Sequence, residues 1–273
     1  MGVIVDGNVE EVAGLIIRSW LDPNGLRLID SDREPRTQAE WIHAIVLHTT
    51  RGIPGGRDQR KQRILTGPIP HPEHDHKMDV VSGWAEDGVC ASAHFVIDFD
   101  GSIACVADVA TETTYHAGVR MVNHQSIGIE ICQGSDAELY EVQLDAAVRL
   151  VDYLTRRFGI QRQFHWPYRN QAVQRIAQGG SSVVGVYGHR EASDDRGAGD
   201  PGDEVFLRLR SAGYESFDLD QLEDLTVWKQ RQQQLAEQLG IALDLDGVPG
   251  MQTLAALRQA GYPHGLWTAR PGD

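Results

Sequence analysis

The chain has 273 residues, with 25 Lys and Arg against 39 Asp and Glu, for a formal net charge of −14. That length accommodates one substantial domain and a small companion, and the acidic balance argues against nucleic acid as a partner, because phosphate-backbone affinity depends on clustered cations. Cys90, Cys105 and Cys132 form no C-x-x-C pair, which indicates neither a disulfide framework nor a thiolate metal knuckle.

Residues 1–39 are expected to form an N-terminal helical extension, with "VEEVAGLIIRSW" as its helical pattern and the polar "DSDREPRTQAE" as a connector. The start lacks the basic n-region and small-residue cleavage site of a secretory signal. Synthesis in the cytoplasm and delivery outside the general secretory route are therefore the expectation. No apolar run approaches the roughly 18 residues of a membrane span, so no membrane insertion is expected.

"AIVLHTT" begins with four apolar residues, Ala44 to Leu47, and stops on His48. A short run rich in β-branched residues fits a central strand covered on both faces. Residues 51–90 are Gly- and Pro-rich and charged, and read as a long loop excursion of the kind that is functional or disordered. Within it "HPEHDH" clusters His71, His74 and His76, a composition that can bind metal but here lacks the scaffold that fixes a catalytic geometry.

"SAHFVIDFDGSIACVAD" alternates apolar residues around a turn at Phe99-Asp100-Gly101 and predicts a hairpin. "SIGIEIC" supplies another strand. "DAELYEVQLDAAVRLVDYLTRRFGI" predicts a helix with Leu144, Val148, Val151, Leu154 and Phe158 on one stripe and Gly159 at its cap. "SSVVGVYGH" is a further buried strand that again finishes on a histidine, His189. Strands alternating with helices imply an α/β fold, a mixed central β-sheet flanked by helices, over residues 40–215. Beyond about residue 215 no strand signal remains. Leu225, Trp228, Leu235 and Leu239 recur at helical spacing before the turn "LDLDGVPGMQT" and the helix "LAALRQAG". Residues 216–273 thus read as a small C-terminal all-α domain.

Two strands ending in His48 and His189 could place both imidazoles at one edge of a sheet, where α/β folds commonly build their sites. The Gly-rich loop "GHREASDDRGAGDPG" then brings Asp200. Two imidazoles and one carboxylate make a three-ligand Zn2+ set that leaves a position for water. Asp200 before Pro201 could equally initiate a turn. Glu130, lodged between Ile129 and Ile131, is an acid in a strand that otherwise reads as buried; it is either a catalytic base or one half of a structural ion pair.

Taken in order, "IVLHTT", "SAHFVIDFDGSI", "TTYHAG", "NHQSIGIEI" and "GHRE…GDPG" resemble the type 2 N-acetylmuramoyl-L-alanine amidases, relatives of phage amidase lysozymes and peptidoglycan-recognition proteins. The resemblance implies that His48, His189 and Asp200 hold zinc, that Glu130 orients or deprotonates the attacking water, and that His116 lines the substrate groove. It implies hydrolysis of the amide between N-acetylmuramic acid and L-alanine of the stem peptide. Many relatives carry a lysine two residues before the last ligand, where this chain has Ala198. Arg196 is the nearest cation that could substitute, or a solvated surface residue, and His124 is another candidate helper. His94 either contacts substrate or caps the groove.

"WKQRQQQLAEQLG…LDGVPGMQTLAALRQAG" is similar to peptidoglycan-binding modules of three short helices, although a helical cap packed on the main domain would use the same apolar spacing. The expected partners are bacterial peptidoglycan or muropeptides, with an immunity or delivery protein as a further one. Action in the periplasm or cell wall, after secretion or phage lysis, follows from the resemblance. The alternatives are a non-catalytic recognition protein and a cytoplasmic amidase that recycles muropeptides.

Overall fold

A computed structural model describes residues 1–36, 42–50, 62–69, 74–86, 91–178, 183–193, 198–217, 222–247 and 251–261. Its strands, in chain order, are β1 (Val3–Val5), β2 (Asn8–Glu10), β3 (Ile17–Ser19), β4 (Arg33–Pro35), β5 (Ala44–Thr49), β6 (Arg63–Leu65), β7 (Phe95–Ile97), β8 (Ile103–Cys105), β9 (Glu112–Thr114), β10 (Ser126–Ile131), β11 (Glu138–Tyr140), β12 (Gln163–His165), β13 (Gly185–Gly188) and β14 (Glu215–Phe217). The helices are α1 (His76–Glu86), α2 (Arg120–Gln125), α3 (Glu141–Phe158), α4 (Ala172–Gln178), α5 (His189–Ala192), α6 (Glu204–Ser211), α7 (Leu222–Leu239) and α8 (Met251–Gln259).

The apolar runs assemble into an eight-stranded sheet ordered β14-β12-β13-β5-β10-β7-β8-β3. Pairing is parallel from β14 through to β7; β8 then runs antiparallel to β7, with β3 parallel to β8. The sheet is therefore mixed and flanked by helices, as the alternation of strands and helices implied. Side chains alternate between faces along a strand, and this sorts the core. Ile45 and Leu47 of β5, the three isoleucines of β10 and Val186 pack in one apolar layer with Leu144, Ala147, Leu150, Val151 and Leu154 of α3. Ala44, Val46 and Tyr187 belong to a second layer. By the same alternation His48, Ser126, Gly128 and Glu130 lie on that second face. The predicted hairpin forms with Ile97 opposite Ile103, and α3 ends on Gly159 in the left-handed conformation at φ 65°.

Three expectations are corrected. The segment read as an N-terminal helix forms β2 and β3 instead, with β3 laid parallel along β8. Gly14, at φ +76°, breaks the helical course, and the backbone N–H groups of Asp6 and Gly7 donate to the Asp108 carboxylate 3.0 and 2.6 Å away. Local helix propensity is a weak bias that such tertiary bonds override. Inside the 51–90 excursion lie β6, which pairs with β11, and α1, whose Val81 is buried in a cluster with Leu28, Val96 and Val106. Gly83 in the middle of α1 hid its helical pattern. Past residue 215, β14 adds an edge strand beside β12.

The C-terminal helices α7 and α8 pack together and share a hydrophobic cluster with the second face of the sheet. Trp228 meets Phe217 edge-on at 6.3 Å between centroids, and Leu235, Ala256 and Leu257 are buried in the same cluster as Val46 and Tyr187. Gln232 ties the connecting loop to α7: its side chain donates to Asp246 Oδ1 and Thr253 Oγ1 and accepts from the Gly247 N–H. Residues 262–273 lie outside the described residues. Because these side chains belong to a common core, Leu235→Ala is expected to lower stability by about 2–5 kcal/mol in a single cooperative transition. Two separate thermal transitions, with the larger unmoved by the substitution, would show instead that α7 and α8 fold independently. Among the described residues no helix is long and apolar enough to cross a membrane.

Candidate metal centre

Three adjacent parallel strands deliver the site at their carboxyl ends, where open α/β sheets commonly bind ligands. Gly188, the last residue of β13, sits beside Leu47, so His189 follows at the level of His48. On the other side Glu130 of β10 is the register partner of His48. Asp200 arrives from the loop between α5 and α6. Its Oδ1 accepts the Thr49 backbone N–H at 2.7 Å, which anchors the loop to the end of β5.

The result is a buried group of two imidazoles and one carboxylate. His48 Nδ1 and His189 Nδ1 lie 3.0 Å apart, and His189 Nδ1 is 3.3 Å from Asp200 Oδ2. One potential ligand atom from each residue lies within 4.8 Å of the others, so the group could hold a metal ion. The donor set suits zinc: a tetrahedral centre with arms of about 2.0–2.1 Å places its ligand atoms about 3.3 Å apart. Glu130, half-buried, stands one strand away and supplies none of these donor atoms.

Behind this group lies a second layer of buried polar groups. His116 Nδ1 is 3.2 Å from His48 Nε2, and His116 Nε2 is 3.3 Å from Ser126 Oγ. Burial first, then the neighbouring His94, His189 and Arg36, holds the His116 imidazole well below the usual histidine range. His116, expected to line the groove, is buried with its ring edge-on to His48. His94, expected to contact substrate or cap the groove, belongs to the same buried layer. It is fully buried, accepts the Gly128 N–H on Nδ1 at 3.1 Å, and lies 3.1 Å from Glu112 O and 3.2 Å from Arg36 Nη2 through Nε2. Burial, reinforced by the Arg36 charge, takes it down to about 3, so it is a neutral ring bracing strands.

The loop that carries Asp200 is held by Arg190, a residue the sequence reading passed over. Arg190 is fully buried; its Nε donates to Glu191 Oε1 at 3.0 Å, and its Nη1 donates to Asp203 Oδ1 at 2.8 Å and Ala198 O at 3.2 Å. A charged residue in a Gly-rich loop reads as solvated, and only burial reveals its role. Arg190 N also donates to Asp200 O at 2.9 Å. Ala198 is buried in this loop.

Arg196 lies outside the described residues. His124 contacts Glu34 at 2.9 Å and Thr113 at 3.4 Å, a pairing with the β4–β9 ribbon rather than with the ligand cluster. His74, His76 and Asp79 form a second group that could hold a metal ion; His74 and Asp79 are exposed, and His74 already pairs with Asp79 at 2.6 Å. His71 lies outside the described residues.

A family model described as N-acetylmuramoyl-L-alanine amidase matches residues 37–203. Among solved structures the chain is similar to the N-acetylmuramoyl-L-alanine amidase LysC from Clostridium intestinale URNW, at 16% identity, 69% of this chain and 99% of that one covered, and a TM-score of 0.39. A mutant endolysin from Bacillus subtilis shows 18% identity, coverage of 72% and 96%, and a TM-score of 0.41. Drosophila peptidoglycan recognition protein SD shows 13% identity, coverage of 75% and 99%, and a TM-score of 0.44. No curated protein sequence matches the chain.

Proposed function

The chain belongs to the N-acetylmuramoyl-L-alanine amidase family, and from that premise we propose that it is a zinc-dependent hydrolase of bacterial peptidoglycan. It cuts the amide between the lactyl group of N-acetylmuramic acid and L-alanine. The observation that carries this reading is the convergence of His48, His189 and Asp200, with separations of 3.0 and 3.3 Å, at one sheet edge. Zinc held there supplies a Lewis acid for the amide carbonyl and lowers the pKa of water.

Glu130 does the proton work. Its carboxylate takes a proton as water adds to the carbonyl carbon and returns it to the amide nitrogen as the C–N bond breaks, giving a lactyl carboxylate and a free L-alanine amine. Its place beside His48 in register keeps it close to the ligands without joining them. Thr49 and Arg190 act earlier, by holding the Asp200 loop against the end of β5. Cell-wall polymer is the proposed substrate, and the place of action proposed is the periplasm or wall.

Mass spectrometry of purified sacculi digested with the protein tests the reading. Free stem peptides and peptide-stripped glycan are expected, abolished by a chelator and restored by zinc. Binding to sacculi with no peptide release, under any metal, would favour a recognition protein instead.

A further inference from the structure

The ring beneath His48 sits in a hydrogen-bond chain whose direction can be read from its far end. Ser126 Oγ donates to Val122 O at 2.6 Å. A hydroxyl has one proton, so toward His116 Nε2, 3.3 Å away, Ser126 can only accept. His116 Nε2 therefore carries the N–H. A neutral imidazole has one N–H, which leaves Nδ1 of His116 as an acceptor. Its partner at 3.2 Å, His48 Nε2, must then be the donor. The N–H of His48 being on Nε2, its Nδ1 presents a lone pair, and that is the atom 3.0 Å from His189 Nδ1.

Two features hold His116 in this role. Asn123 Oδ1 accepts the backbone N–H groups of both His116 and Ala117, at 3.2 and 2.8 Å, fixing the chain where the ring departs. The ring lies over Gly128, where an added Cβ would come within 2.6 Å of His116 Cγ and 2.8 Å of Cδ2. Glycine at the centre of "SIGIEI" thus makes the recess that the imidazole fills.

We propose that His116 is a positioning residue: by accepting from His48 Nε2 it fixes the tautomer of His48 and aims the Nδ1 lone pair at the point shared with His189 and Asp200. The inference rests on the zinc reading of that point. It assigns His116 to the metal side of the site, in place of the substrate groove. Partners behind a metal-ligating histidine typically change metal affinity by about 10–100-fold when removed.

The test uses the full chain. Zinc affinity is measured by chelator competition for the wild type, His116→Phe, which keeps a ring without an acceptor, and His116→Gln, whose amide oxygen can accept. Nitrogen-15 NMR of the histidine rings in metal-free protein reads the tautomer directly. Expected are an Nε2–H tautomer for His48 in the wild type, loss of that fixed tautomer with about 10–100-fold weaker zinc binding in His116→Phe, and partial recovery of both in His116→Gln. Gly128→Ala, which displaces the ring while leaving its chemistry intact, is expected to weaken zinc binding in the same direction. An Nδ1–H tautomer for His48 in metal-free wild type, or unchanged zinc affinity in His116→Phe, overturns the proposal. A wild type that binds no zinc but shows the Nε2–H tautomer would sink the zinc reading and leave the hydrogen-bond assignment standing.

Discussion

Glu130→Gln is expected to slow peptide release from sacculi by about 10²- to 10⁴-fold, the usual worth of a positioned general acid–base, while zinc affinity stays at the wild-type level. The separation of the two effects follows from placement. Glu130 sits on β10 as the register partner of His48, on the face of the sheet that carries the ligands, yet supplies no atom of the His48, His189 and Asp200 group. Glutamine keeps the shape and the hydrogen-bonding capacity of the side chain but cannot take up a proton at neutral pH. Initial rates on sacculi and a zinc titration on the same preparation decide the matter. Wild-type turnover would remove Glu130 from the mechanism; loss of zinc together with turnover would reassign it to holding the metal.

The second large effect concerns folding. Arg190→Met is expected to destabilise the protein by about 3–5 kcal/mol, the cost of breaking a buried ion pair by deleting one partner. Arg190 and Glu191 are both buried to within 1% of complete, and burial pushes the Glu191 carboxyl up even with the guanidinium beside it. Without Arg190 that carboxyl and Asp203 lose their shared cation, and Ala198 O loses its donor. Lysine should not rescue the loss, because one ammonium cannot reproduce the fork that reaches Glu191 through Nε and Asp203 through Nη1. Urea unfolding measures it. A change below about 1 kcal/mol, within the range of exposed pairs, would mean that the cluster contributes no more than a surface ion pair.

The two effects also differ in how far they could be read beforehand. Glu130 announced itself: in "SIGIEI" the three isoleucines alternate with Ser126, Gly128 and Glu130, and a period of two means one apolar and one polar face. His48 and His189 were visible as polar stops to apolar strands, and α3 declared its stripe and its Gly159 cap. These are local patterns, written in neighbouring residues.

What the sequence by itself determined was therefore the elements whose signal is periodic, the α/β class they imply, and the residue types available for a metal set. Only the tertiary structure decided that Asp200 reaches the end of β5, because the Thr49 N–H that holds it is 151 residues away. It also turned the N-terminal segment into strands, set His116 behind His48 and buried Arg190. Each of these outcomes depends on hydrogen bonds or burial between distant segments, and no local propensity encodes which distant group will supply the partner.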